Sequence, residues 1–209
     1  MKITTLFCLF LLLGTVIQAQ TVETGKRHIS RPEFWWAVKH IFIAKKSVKL
    51  TRIALVTTAE MKHSPLLDGD PQGGQLDAFR HSYWMALLAQ KIHPRKALML
   101  GIAHEKGNYL DFKRGSLEDG IQPDKISTSM DLYNNEKGVA LGYENRTISQ
   151  DSLKQLVIQA ILEGKMKILY KDVKGQYLQS NDSVINLQDY KGKWEIPKYR
   201  VRSNHPKKL

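Results

Sequence analysis

Residues 77–88 read DAFRHSYWMALL, and this stretch places an acid, a guanidinium and an imidazole inside an otherwise apolar helical run. At 100° per residue, four side chains fall within about 60° of one another, namely Asp77, His81, Trp84 and Leu88. Arg80 lies on the flank of this stripe. The stripe is predicted to point inward, and buried charges need partners from elsewhere in the chain. We therefore expect the rest of the fold to assemble around this helix.

Capping residues and apolar spacing predict a mainly α, single-domain bundle of about six helices. The first helix is predicted to begin at 30–33, and the next three span about 47–61, 75–91 and 94–108. The fifth begins at the capping residues 127–129, and the sixth runs from 149 to 164. In the first helix the spacing predicts a buried apolar set, Phe34, Trp35, Val38, Ile41 and Phe42.

The remaining segments have weaker signals. Residues 63–74 contain Pro65, Pro71 and three glycines, which is a loop composition, and the loop forms either a wall over the central helix or a simple connector. Residues 167–179 carry a hairpin pattern around Lys174-Gly175, so a small C-terminal β-hairpin is predicted. The predicted division is a signal peptide at 1–20, a helical domain at 21–180 and a basic, partly ordered tail at 181–209.

The first twenty residues have the pattern of an export signal. Lys2 precedes the apolar run 6–13, and the small residue Ala19 follows a few positions later. This order is typical of a secretory signal peptide cleaved near Ala19 or Gln20, with an uncleaved anchor as the alternative. The mature protein is then expected in the periplasm or outside the cell.

Cysteine content and charge limit the chemistry. The single cysteine, Cys8, lies within the apolar run, so the mature chain would have no thiolate for disulfides, metal or nucleophilic attack. The formal net charge of +12 favours an anionic small molecule, lipid or envelope polymer as partner. Nucleic acid is a weaker inference, peripheral membrane contact stays open, and a solvated basic face is the simplest interpretation of the two basic regions, 27–49 and 191–208.

Two later helices repeat the arrangement of the central one. In the helix over 94–108, His104 and Asn108 share a face with Ala97 and Gly101, and Glu105 lies at its edge. In the next helix the polar groups share a face with two glycines, and this set is Asp131, Asn134, Asn135, Gly138 and Gly142. Because glycine costs a helix about 1 kcal/mol relative to alanine, these glycines predict close helix packing.

Three motifs thus follow one another: DAFRH with YW at 77–84, HE at 104–105, and MD with NN and a glycine at 130–138. Together they resemble a family of bacterial domains, many of them in exported proteins, that is marked by DAFRHxYW, HE and MDxxNNxxG and has no assigned function. The resemblance covers roughly Phe34 to Gly164. It implies that the three motifs act as one unit and implies no reaction or cofactor.

The residues themselves suggest a site for a divalent metal, with zinc or manganese as candidates, provided that the three stripes meet in space. In that interpretation His81, His104 and Asp131 are ligands, and Asp77 is the next choice. Glu105 is then the base that deprotonates a metal-bound water. Substrate contacts fall to the remaining side chains of the stripes, which are Arg80, Asn134, Asn135, Trp84 and Asn108.

A metal-free site uses the same residues. His81 is then a general base oriented by Asp77 or Asp131, while Arg80 and the amides stabilise negative charge on a phosphoester or carboxylic ester. Both versions predict a hydrolase acting on an anionic substrate of the envelope or the extracellular space. The alternatives are a non-catalytic ligand or anion site, or a buried polar network that only specifies helix packing, with Arg80 paired to Glu105 or Asp131.

Overall fold

A computed structural model describes residues 29–117 and 120–209, so the predicted signal peptide lies outside the described residues. Within this part the chain forms six α-helices, a short 3₁₀ helix at Leu187–Tyr190 and two short strands. The helices are α1 Arg31–Lys39, α2 Ile41–Met61, α3 Gln75–Lys91, α4 Pro94–Arg114, α5 Lys125–Glu144 and α6 Gln150–Leu162. The predicted mainly α bundle of about six helices is confirmed. None of the described helices has the length and apolar character to cross a bilayer.

The central helix is α3, which contains the stretch 77–88. It packs against α2, α4, α5 and α6, and nearly all its residues are buried. Ser82 and Gln90, on the side away from the charged stripe, are buried too: the Ser82 hydroxyl donates to the Ala78 carbonyl at 2.6 Å, and the Gln90 amide donates to the Asn145 carbonyl at 2.7 Å. A helix surrounded on all sides needs partners inside the protein for its polar groups, and these two side chains find theirs in backbone carbonyls.

Two glycines of α5 allow it to lie directly on α3. A Cβ added at Gly138 would lie 2.7 Å from the Cα of Ser82, and one added at Gly142 would lie 2.7 Å from the Cα of Ala86. Both contacts are with backbone, which cannot move aside as a side chain can. The predicted close packing is therefore present, and it holds α5 at the distance from which Asp131 reaches α3.

The first helix begins where it was predicted to begin, but a different face of it is buried. Ser30 caps α1 in a capping box with Glu33. The buried residue is Trp36, whose Nε1 donates to the Lys96 carbonyl at 3.1 Å. The prediction of a buried set is wrong, because all five of its members are exposed, namely Phe34, Trp35, Val38, Ile41 and Phe42. Almost every position of this segment is apolar, so periodicity alone did not select the face that meets α4.

The fifth helix starts earlier than predicted. Its cap is Asp124, whose carboxylate accepts from the backbone N–H of Ile126 and Ser127, rather than the 127–129 segment. Helix α4 runs beyond the predicted residue 108 and ends at Gly115, which adopts φ +71° and is the left-handed residue that terminates many helices.

The C-terminal segment forms part of the fold. The predicted small β element exists, but strand β1, Lys167–Leu169, pairs antiparallel with β2, Arg200–Arg202, rather than with its near neighbour. The turn at Lys174-Gly175 makes only an isolated bridge between Lys171 and Tyr177. Ile185 and Ile196 of the predicted tail are buried, which anchors this segment against α5 and β1.

Candidate functional site

The polar stripes of three helices meet at His81. Its Nε2 lies 3.6 Å from Oδ1 of Asp77 on α3 and 3.5 Å from Oδ1 of Asp131 on α5. Its Nδ1 lies 4.0 Å from Oε1 of Glu105 on α4. All four residues are buried. The convergence expected from the sequence is therefore present in the fold.

Arg80 lies at the edge of this cluster. Its Nη2 is 2.7 Å from Oδ1 of Asp77 and 3.2 Å from Nε2 of His81, and its side chain is 22% exposed. The second oxygen of Asp77 accepts from the backbone N–H of Gly73 at 2.8 Å. The loop before α3 thus fixes Asp77, and Asp77 in turn fixes the guanidinium beside the imidazole.

The Nε2 atom of His81 has both a guanidinium and two carboxylates beside it. A guanidinium can only donate hydrogen bonds, so a hydrogen bond from Arg80 requires the neutral ring with its proton on Nδ1. Glu105 faces that Nδ1, and Asn108 holds the other Glu105 oxygen by donating to Oε2 at 3.2 Å. A carboxylate beside Nδ1 and a guanidinium beside Nε2 form the setting of an oriented general base, in which the guanidinium must move before Nε2 can accept a proton.

His104 is near the cluster but faces another partner. Its Nδ1 lies 3.4 Å from Oε1 of Glu33 on α1, and its ring stacks beside His81 with the ring centroids 6.1 Å apart. Among the described residues, the group able to share one metal ion is Asp77, His81 and Asp131, whose ligand atoms lie within 4.8 Å of one another. The third candidate metal ligand is therefore Asp77 and not, as the sequence predicted, His104, because α4 turns His104 towards α1.

Three side chains assigned to substrate contact are buried in the protein. Asn134 pairs with both backbone groups of Lys167, donating to its carbonyl and accepting from its N–H, each at 2.9 Å. Trp84 donates from Nε1 to the Thr51 hydroxyl at 2.8 Å. These hydrogen bonds hold β1 to α5 and α3 to α2. Asn135 is fully buried beside Gly101 of α4, and its amide has no hydrogen-bond partner among the described residues.

A small cleft, partly open to solvent, leads to the cluster. Its lining includes Asp77, Arg80 and Asp131 from the cluster, with Tyr177 and Lys198 from the C-terminal segment. Gln72 and its neighbours in the 63–74 loop also line it, so the loop forms a wall, the first of the two roles considered for it.

The residues on the C-terminal side of this cleft were not predicted from the sequence. Lys198 is buried and its Nζ lies 2.7 Å from Oδ2 of Asp124, the cap of α5. Its Nζ also lies 4.1 Å from the centre of the Tyr177 ring. Asp124 could have been predicted as a helix N-cap, because aspartate is among the residues preferred at that position. No local pattern distinguished Lys198 from the other lysines of the tail.

Tyr177 is a fixed donor at this wall. Its hydroxyl donates to the Gln72 carbonyl at 3.0 Å. Burial raises the pKa of the Tyr177 hydroxyl well above its usual range, and the Asp70 carboxylate raises it further. The phenol therefore remains protonated at physiological pH and keeps the 63–74 loop attached to the C-terminal segment.

Comparison with known proteins gives a family and no activity. A family model described as a domain of unknown function (DUF6973) matches residues 34–165, a span that contains all three motifs. No curated protein matches the chain, and no solved structure does. The match agrees with the expected resemblance to an uncharacterised domain family.

Proposed function

We propose that this chain, which belongs to the DUF6973 family of domains of unknown function, is a hydrolase that cleaves an anionic phosphoester or carboxylic ester with His81 as the general base. The observation that carries the proposal is the position of His81 Nε2, between two carboxylates that line a cleft and beside a guanidinium. Such a group, desolvated and held by charged neighbours that line a cleft, is suited to moving a proton.

Arg80 connects substrate binding to the base. In the present arrangement its Nη2 donates to Nε2 of His81. An anionic group of the substrate in the cleft would attract the partly exposed guanidinium, and the lone pair of Nε2 would then accept the proton of a water. That water attacks the phosphorus or the carbonyl carbon, the bond to the leaving oxygen breaks, and the proton on Nε2 passes to that oxygen. Glu105 beside Nδ1 stabilises the imidazolium that forms.

An anionic substrate group would bind at the partly exposed guanidinium of Arg80, because the lining of the cleft otherwise includes two carboxylates, Asp77 and Asp131. Arg80 and Lys198 both line the cleft, and the guanidinium can hold two oxygens of a phosphate or carboxylate at once. Asp77 keeps Arg80 in place through the 2.7 Å contact. The expected export signal at residues 1–20 extends the proposal to a substrate of the envelope or the extracellular space, and N-terminal sequencing of the exported protein should begin near Gln20 or Thr21.

A second candidate is a metal-dependent version of the same reaction. It is favoured by the three ligand atoms of Asp77, His81 and Asp131 within 4.8 Å, a nitrogen and oxygen set that suits zinc or manganese. Arg80 lies against two of these three atoms, so binding of an ion requires the guanidinium to move outward. The ion would activate water as a Lewis acid.

Turnover tests the proposal against a non-catalytic network. The purified protein is assayed on phosphomonoesters, phosphodiesters and carboxylic esters, each with EDTA, Zn²⁺ or Mn²⁺. We expect His81→Gln to lower kcat by a factor of about 10² to 10⁴. The matched control is His63→Gln, an exposed histidine of the 63–74 loop, which should leave kcat unchanged. Wild-type protein without activity on all three classes, or equal activity of His81→Gln, would refute the hydrolase.

Metal content separates the two versions. Elemental analysis of purified wild-type protein should find about one ion per chain if Asp77, His81 and Asp131 are ligands, and Asp131→Asn should lose most of it. Activity that survives EDTA together with metal well below one per chain rejects the metal version and leaves the His81 base. If Asp77→Asn and His81→Gln lower only the thermal stability, the cluster is a packing network.

A further inference from the structure

The elbow between α1 and α2 carries an apolar surface that no described residue covers. We define the elbow surface as Trp35, Val38, Ile41 and Phe42, all exposed, with Phe42 98% exposed. Trp35 and Val38 lie on α1, Ile41 and Phe42 begin α2, and backbone bonds from His40 to Trp36 and from Ala44 to His40 connect the two helices. The four exposed side chains therefore flank the turn at His40.

The opposite side of α1 is attached to α4. Trp36 is buried on the opposite side of α1 and bonded to the Lys96 carbonyl of α4. Ser30 and Glu33 close a capping box at the start of α1, and Glu33 also faces His104. Phe34 stacks edge-on against Trp35 with ring centroids 5.6 Å apart.

The surroundings of the elbow are uniformly basic. Between Glu33 and Glu60 the sequence contains no acidic residue. The same stretch contains five lysine or arginine residues, each of them exposed: Lys39, Lys45, Lys46, Lys49 and Arg52. On α2 these charges lie opposite the buried face formed by Ala44, Ser47, Ala54 and Thr58. The elbow thus combines the exposed apolar side chains of the elbow surface, which we call the tip, with positive charges on the neighbouring turns of α1 and α2.

We propose that the elbow surface docks onto a lipid bilayer that contains anionic phospholipid. The aromatic and aliphatic tip enters the interfacial region of the bilayer, and the lysines on either side contact the anionic headgroups. Charge complementarity decides between occupants. An apolar protein groove would match the tip and leave the lysines without partners, whereas an anionic polymer would match the lysines and leave Phe42 in water.

The two parts of the surface define two matched pairs of variants. Phe42→Asp removes the tip, and Val184→Asp places the same change at an exposed valine of the C-terminal segment. The combined change Lys45→Glu, Lys46→Glu and Lys49→Glu reverses the local charge. Its control reverses three exposed lysines elsewhere, Lys174, Lys191 and Lys193, so both triple variants have the same net charge.

Binding of the full chain is measured by co-sedimentation with vesicles of phosphatidylcholine, alone or with about one third phosphatidylglycerol. We expect the anionic vesicles to be bound at least about tenfold more tightly, and Phe42→Asp and the elbow triple variant each to lose about tenfold or more. The two control variants should bind within about twofold of wild type. The apolar run at residues 6–13 is present in every variant, so it cannot produce these differences.

A second readout reports the depth of the tip. Phe42→Trp should show a blue-shifted emission and quenching by brominated acyl chains on anionic vesicles, which Val184→Trp should not show. The proposal is overturned if Phe42→Asp binds vesicles as wild type does, or if neutral and anionic vesicles bind equally. It is also overturned if Phe42→Asp converts a dimer to a monomer without changing vesicle binding, or if the elbow variants lose RNA binding only.

Discussion

Removal of the Lys198 ammonium group by Lys198→Met should destabilise the fold more than removal of any surface lysine. Lys198 and Asp124 form an ion pair at 2.7 Å with side chains only 2% and 0% exposed. Breaking a buried pair by removing one partner typically costs about 3–5 kcal/mol, because the remaining charge stays buried. Asp124 keeps three other donors, the N–H groups of Ile126 and Ser127 and the Ser127 hydroxyl.

These remaining donors place the expected loss at the lower end, about 3 kcal/mol in the free energy of unfolding. For a domain of this size the melting temperature should fall by roughly 6–12 °C. Asp124→Asn leaves the ammonium group buried over the Tyr177 ring, so it should also be costly. In the double variant neither charge remains, and its loss should be smaller than the sum of the two single losses by about 2 kcal/mol or more.

Urea unfolding followed by circular dichroism measures all three variants at a common m-value. The control is an ion pair of nearly equal length on the surface, Lys125 with Glu195 at 2.6 Å, whose side chains are 58% and 75% exposed. Lys125→Met should change stability little, because exposed pairs are screened by water. Additive losses at Lys198 and Asp124, or equal losses at Lys198 and Lys125, would refute the inference that burial makes this pair strong.

Further predictions concern helix packing and pH. Gly142→Ala should lower the free energy of unfolding by about 1–3 kcal/mol in urea unfolding, since its Cβ would meet the Ala86 backbone. Gly101→Ala should lower it less, because its Cβ would meet only side-chain atoms of Asn135 and Met85, at 3.0 and 3.1 Å. Because the pKa of Tyr177 is raised in the fold, its contribution to stability is complete below the unfolded pKa of about 10 and is lost as pH rises above it. Tyr177→Phe should therefore flatten the decline of melting temperature above pH 10, and an unchanged decline would contradict the assignment.

Much of the bundle follows from local signals in the sequence. Capping residues such as Ser30 and Ser149 mark helix starts because their side chains satisfy N–H groups that the helix cannot. The meeting of the three stripes was also predictable. A helix that buries Asp77 and His81 is stable only if other elements supply partners, and the stripes containing Glu105 and Asp131 were the ones available.

The orientation of the site was decided only by the tertiary structure. His104 and Glu105 are neighbours in the chain, yet the rotation of α4 about its axis turns one towards Glu33 and the other towards His81. Helical spacing gives relative directions along one helix and says nothing about that rotation. The same reason explains the first helix, where residues 34–38 are all apolar and only packing on α4 selected Trp36.

The C-terminal wall shows the other limit. Lys198 meets Asp124, which lies 74 positions earlier, and β2 pairs with a strand about thirty residues before it. Such contacts depend on how the intervening chain closes, and no local propensity encodes the partner. The sequence by itself determined that a charged helix would be buried and surrounded by polar partners. Only the tertiary structure decided which partners lie within reach, because distances across a bundle are set by helix packing and chain closure.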